Sequence, residues 1–255
     1  MKLTILLSLL IQATSLTAQI AEKVEVTEPV ANKDNLLPNQ KAFLNLPEEN
    51  RKEFIKHLTE ANRLFQQKRI FEVMEELAKA EKIFADSPEI FNIRGSCFVE
   101  MRAFDKAMAE FQKAKTFSVN NPSIDFNIAE VYFVTKRWKE AAELFEKILK
   151  VIPPQNTALG RLVEFKILLS KKKLGLDDEV TILAGKYDDN DDSPFYYFTQ
   201  AALAFDAKEM EKAENWLAMA GRIFQDPNTI APWQDTLVEF GYLKSFYGDD
   251  SAPVE

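Results

Sequence analysis

The stretch 102–117, RAFDKAMAEFQKAKTF, returns 34 residues later at 136–152 with nearly the same grammar. Phe104 is answered by Trp138, Ala107 by Ala141, Phe111 by Phe145 and Lys113 by Lys147. A period of this length means that one unit is a single supersecondary piece, unable to bury its apolar face except against a neighbouring copy. The punctuation keeps the same time. Ser87-Pro88, Asn121-Pro122 and Ser193-Pro194 each set a capping side chain before a proline, which suits a helix start because the first N–H has no intrahelical partner. The first two pairs are 34 residues apart and the third is 72 further on, room for two units of about 36.

Between these marks every unit reads as two amphipathic helices around a short polar turn. Small residues recur where helices approach closely: Ala61, Gly95, Ala129 and Ala201 on first helices, and Ala80, Ala114 and Ala220 on second helices. Bulky ones recur between them, at Leu64, Phe98 and Tyr132, then at Leu77, Phe111, Phe145 and Leu217. This grammar resembles the tetratricopeptide repeat family, whose pattern is W-x2-L-G-x2-Y…A-x3-F…P. Unit two supplies Phe91, Arg94, Gly95 and Phe98, then Ala107 and Phe111. Unit five supplies Tyr197, Gln200, Ala201 and Ala204, then Ala213 and Leu217. Arg94 and Asp125 depart from the pattern, at an aliphatic and an aromatic position. Unit four fits worst, with Phe165 at a small-residue site and Asp177 inside the second helix; helices are still expected over about 157–172 and 177–187.

The resemblance runs from Phe54 to Pro227 and implies an all-α fold, a helix–turn–helix repeat solenoid forming a right-handed superhelix, with the first helices on its inner face. The expected organisation is a signal peptide at 1–18, an extended, disordered tether at 19–46, about five repeats over 47–228 with the fourth degenerate, and a capping helix and short tail at 229–255. The capping helix is expected over 233–248.

Composition narrows the function. A formal charge of −8 with a pI near 5 argues against nucleic acid or anionic lipid as partner, because phosphate binding needs clustered Lys and Arg. Lys2 followed by the apolar run 3–11 and by small residues reads as a secretory leader cut after Ala18 or after Ser15. The run is too short for a permanent span, so the mature chain is expected to be exported, periplasmic or secreted, without a membrane span. The single cysteine, Cys97, has no intramolecular disulfide partner and reads as a small core residue.

Chemistry is sparse. His57 is the only histidine, so any Ser-His or Cys-His catalysis would have to use it, and zinc would need more ligands. Asp188, Asn190 and Asp192 match the first ligands of a calcium loop, but Ser193 and Thr199 stand where its glycine and glutamate belong. Lys171, Lys172 and Lys173 close a helix, where cations suit the dipole; an acidic partner's docking patch is the competing reading.

What remains is the inner face. Extending the period selects Phe65, Val99, Phe133, Leu169 and Phe205 as one row and Leu58, Asn92, Phe126, Leu162 and Phe198 as a second. These rows read equally as a groove for an apolar peptide or helix and as packing between repeats. A family subtype that clamps C-terminal carboxylates with Lys and Asn finds only Asn62 and Asn92 in this chain. The expectation is a non-catalytic scaffold or adaptor without cofactor or metal, binding a protein or peptide segment in cell-envelope assembly or a periplasmic complex. Glu89, Glu100, Glu130 and Asp206 would form an acidic rim. Self-association through the N-terminal tether, with Val24, Val26, Leu36 and Leu37, is a further option. The alternative is a carboxylate-based envelope enzyme or enzyme subunit acting on glycan.

Overall fold

The computed structural model describes residues 36–244, which hold twelve α-helices and no strand. The fold is an all-α helix–turn–helix repeat solenoid, and the described residues divide into two units, 36–131 and 132–244. The expected signal peptide and the stretches 19–35 and 245–255 lie outside the described residues. In order, the helices are α1 (Pro38–Leu44), α2 (Glu48–Gln66), α3 (Ile70–Ile83), α4 (Pro88–Glu100), α5 (Phe104–Phe117) and α6 (Pro122–Val134). They continue with α7 (Trp138–Leu149), α8 (Thr157–Lys173), α9 (Asp177–Ala184), α10 (Phe195–Asp206), α11 (Met210–Ile223) and α12 (Pro227–Phe240).

The five hairpin turns are built alike. Each first helix ends on a residue with positive φ: Lys68, Arg102, Lys136, Gly175 and Lys208. The N–H after it reaches back to the carbonyl of Leu64, Phe98, Tyr132, Lys171 or Ala204, and its own N–H bonds to Phe65, Val99, Phe133, Lys172 or Phe205. This is the Schellman closure, which satisfies orphan carbonyls and sends the chain back against its own helix. Four of the five turns carry a left-handed penalty that glycine would not. Arg102→Val is therefore expected to lower stability by about 1–2 kcal/mol, while Arg102→Gly does not, as urea unfolding would read.

These residues recur at intervals of 34, 34, 39 and 33, so the 72-residue gap is not divided evenly. The fourth unit gains a turn at the start of its first helix, α8 having 17 residues against 13 in α4 and α6, and loses length in α9, which has 8. Counted back from Gly175, the fourth members of the two inner rows are Lys172 and Phe165, not Leu169 and Leu162. The small-residue site falls on Leu168 rather than Phe165.

In the N-terminal unit, Ala61, Gly95, Ala80 and Ala114 are fully or nearly fully buried, with Leu77 and Phe111 at 0% exposure between them. The two departures from the repeat pattern are ion pairs across helices. Arg94 reaches Glu81 at 2.6 Å and Glu110 at 3.7 Å, and Asp125 meets Lys115 at 2.5 Å. The tether reading is corrected at its end, where residues 38–44 are helical. Pro38 opens α1 and Phe43 packs against Phe54 and Phe84 at ring distances of 5.2 and 5.5 Å, apolar burial that an extended tether would forgo. Of the three proline caps, Asn121 accepts from Ser123 N and Ser193 from Phe195 N, whereas the Ser87 hydroxyl turns to Glu89 and caps nothing.

In the C-terminal unit, α8 is buried on nearly every side, as a helix surrounded by α7, α9, α10 and α12 must be. The last helix lies earlier than the expected 233–248. Asp226 caps it by accepting from Asn228 N, Pro227 occupies its first turn, and Gly241 ends it with φ +95°.

Candidate functional site

The side chains named for the inner face separate into buried and half-open sets. Phe65, Phe126, Phe133, Leu162, Leu169, Phe198 and Phe205 are buried, so packing claims most of the aromatic stripe. Leu58, Asn92 and Val99 are half-exposed, and all three belong to the N-terminal unit. There the Asn92 side-chain Oδ1 accepts from Asn127 Nδ2 at 2.9 Å, and the Ser96 hydroxyl donates to the Asn92 backbone carbonyl at 3.1 Å. Lys68 pairs with Glu100 at 2.5 Å and stands 5.5 Å from the Phe65 ring. The first helices of this unit thus carry two part-exposed apolar side chains and an amide held in place by its hydrogen bonds.

The inner row of the C-terminal unit is covered by the chain itself. From α12, Trp233 meets Phe165, Phe198 and Phe195 at 5.3, 5.7 and 6.4 Å between ring centres. Phe240 meets Phe133 and Trp138 at 6.1 and 5.2 Å, and Tyr242 stacks on Phe205 at 5.4 Å. Beneath them Lys166, fully buried, has Glu239 Oε2 at 3.4 Å and the Phe133 ring at 4.6 Å. The helix expected to cap the last repeat thus lies on inner-face side chains of three first helices. The sequence carries a signal for it: Ile230, Trp233, Leu237 and Phe240 alternate by three and four directly after the Asp226-Pro227 start.

The remaining candidates are absorbed locally. His57 Nδ1 lies 2.6 Å from Glu76 Oε2, and Nε2 is 3.8 Å from Glu53, so both ring nitrogens face carboxylates rather than a nucleophile. Burial pushes the Cys97 thiol up to about 12, which holds it in the unreactive protonated form. Every lysine of the basic run has a partner within the chain. Lys171 pairs with Glu146 and Glu179 at 2.6 and 2.5 Å, and Lys172 with Asp177 and Asp206 at 2.9 and 3.0 Å. Lys173 stands over the Phe240 ring at 4.7 Å.

In the acidic loop, Asp188 accepts from Asn190 N, and Asp191 accepts from Ser193 and from Arg161 at 3.2 Å. Burial by itself would raise the Asp191 carboxyl; the Ser193 and Arg161 hydrogen bonds outweigh it and hold it below its ordinary value. Among the described residues no three His, Cys, Asp or Glu side chains converge as a metal site. The acidic rim is likewise engaged, Glu89 with Ser87, Glu100 with Lys68 and Asp206 with Lys172. No described helix is long and apolar enough to cross a membrane.

A family model described as YpiA-like tetratricopeptide repeats matches residues 104–151. The chain is similar to YrrB, whose structure is described as a TPR protein with an unusual peptide-binding site. Identity is 17% over 77% of this chain and 96% of that one, with a TM-score of 0.51. It is also similar to PilF of Pseudomonas aeruginosa, with 15% identity over 76% of this chain and 94% of that one and a TM-score of 0.53. None of the curated proteins matches. Identities this low carry the fold, a stack of tetratricopeptide-type hairpins, and nothing finer.

Proposed function

We propose that this chain is an exported, non-catalytic scaffold that binds a protein segment along the inner face of its tetratricopeptide-type hairpins, in a periplasmic or other cell-envelope complex. The observation that carries the reading is that Leu58, Asn92 and Val99 are part-exposed while Phe65, Phe126, Phe133, Phe198 and Phe205 of the same two rows are buried. Repeats of this kind bury their apolar faces against each other, so apolar side chains left part-exposed on first helices are surplus to the stack. YrrB, with its peptide-binding site, puts a similar fold to a compatible use. Export rests on the leader-like sequence 1–18 alone.

A photo-crosslinking residue placed at Asn92 or Val99 of the full chain is expected to trap one protein partner in cells, while the same group at the exposed Glu75 on α3 does not. Equal labelling at all three positions, or none, removes the inner face from the account. Mass spectrometry of the chain from the extracytoplasmic fraction should show a new N-terminus at Gln19 or Leu16. An intact Met1 on cytosolic protein would contradict export.

A further inference from the structure

The C-terminal unit holds its own model of a ligand. We infer that α12 is a built-in occupant of an inner-face binding surface, and that the segment this surface takes from a partner has α12's chemistry. That chemistry is an amphipathic helix with two aromatic residues seven apart and a carboxylate just before the second. The inference rests on the scaffold reading above and specifies its partner.

Three observations separate α12 from an ordinary end cap. First, the edge of the last hairpin is left bare: Met210, Met219 and Ile223 of α11 are 53%, 41% and 53% exposed. The large aromatic side chains of the C-terminal helix lie instead on inner-face residues Phe133, Phe165 and Phe198. Second, the surface is charge-matched. Lys166 is fully buried, and α12 brings the Glu239 carboxylate to 3.4 Å from its Nζ and carries a second acid, Asp235, which is buried.

Third, α12 is a poor helix on its own terms. Pro232 lies inside it, which removes the bond to the Asn228 carbonyl, and the Thr236 hydroxyl turns back onto the Pro232 carbonyl at 2.7 Å. A helix with an interior proline is held by what it docks against, and such elements are drawn from the low-stability end of a fold. Trp233 and Phe240 sit one heptad apart and point the same way, and Glu239, about 100° round the helix from Phe240, brings the carboxylate in at the side of that aromatic face. A partner helix must compete with the tethered copy, and its apparent affinity is lowered by the fraction of time the surface is occupied.

The probe is a fluorescent peptide of residues 227–242 added to the full-length chain. Phe240→Ala, confirmed as folded by circular dichroism, is expected to bind it roughly tenfold or more tightly than the unaltered chain does. Adding Lys166→Glu to that variant should abolish binding, and a peptide carrying Glu239→Lys should restore it. Folded variants that ignore the peptide, or bind it without regard to the charge swap, overturn the inference. Hydrogen exchange on the unaltered chain decides the matter if Phe240→Ala does not fold. Amides of 229–240 are expected to exchange roughly a hundredfold faster than those of α8, by opening of α12 alone, and exchange in step with α8 overturns the inference. Failure of this test leaves crosslinks at Asn92 and Val99 unaffected, because those residues belong to the N-terminal unit.

Discussion

Phe165→Ala is expected to lower the stability of the chain by about 3–5 kcal/mol, the range for deleting a fully buried aromatic ring. Phe165 has 0% exposure and sits at the meeting point of Phe195, Phe198 and Trp233, at ring distances of 6.4, 6.3 and 5.3 Å. Loss of the ring removes its transfer free energy and leaves a cavity walled by three rigid groups that close in poorly. It also takes away a contact that α12 makes on α8, so Trp233 should report the change directly through its fluorescence in a urea titration. Ile182→Ala on the neighbouring α9, where the side chain is 73% exposed, should stay within about 0.5 kcal/mol. A Phe165→Ala cost below about 1 kcal/mol would mean that the ring cluster is not the centre of the C-terminal unit.

Phe165 also marks where sequence reasoning reaches its limit. The 34-residue echo, the small residues at Ala61, Gly95, Ala80 and Ala114, and the bulky partners at Leu77 and Phe111 are local features repeated in phase, and they suffice to give the hairpins and their core. The fourth register is not accessible in the same way. Proline caps mark only the outer limits of the 72-residue interval, and the added turn at the start of α8 puts the surplus into the first of its two parts, 39 residues against 33. An even division therefore lands on Leu162 and Leu169, three residues from Phe165 and Lys172, which the left-handed Gly175 identifies. Glycine at a helix end is the available signal, and it carries more information than the mean spacing.

The inner face resists sequence reading for a different reason. Phenylalanines at Phe126, Phe133 and Phe198 have the same spacing whether they meet a partner or another part of the chain, since periodicity reports which way a side chain faces and not what lies opposite. The occupant of the C-terminal unit's inner face comes from α12, more than 90 residues beyond Phe133. Nothing in the repeat pattern codes for that return. The charged departures Arg94 and Asp125 are visible in sequence, but their partners Glu81, Glu110 and Lys115 follow only from the stacking of successive helices.

Gly95→Val is the second substitution with a large expected cost, about 3 kcal/mol, at the upper end of overpacking effects. A Cβ built on Gly95 would meet Phe111 Cε1 at 2.5 Å and Cδ1 at 2.6 Å, and Phe111 itself has 0% exposure and nowhere to swing. Alanine at this position gains up to about 1 kcal/mol of helix propensity over glycine, yet the clash reverses the sign, and Gly95→Ala should still destabilise by about 1–3 kcal/mol. The internal control is Gly160 in α8, around which no such contact lies within 4 Å. There the same Gly→Ala change should stabilise by about 0.4–1 kcal/mol. Combining Gly95→Ala with Phe111→Leu tests the cause, because residues in direct contact are coupled while distant ones add. If the clash is the mechanism, the double variant is more stable than the sum of the two single costs predicts, by about 1 kcal/mol or more. Strict additivity, or a stabilising Gly95→Ala beside a destabilising Gly160→Ala, would show that the close approach of α4 to α5 does not depend on the absent side chain.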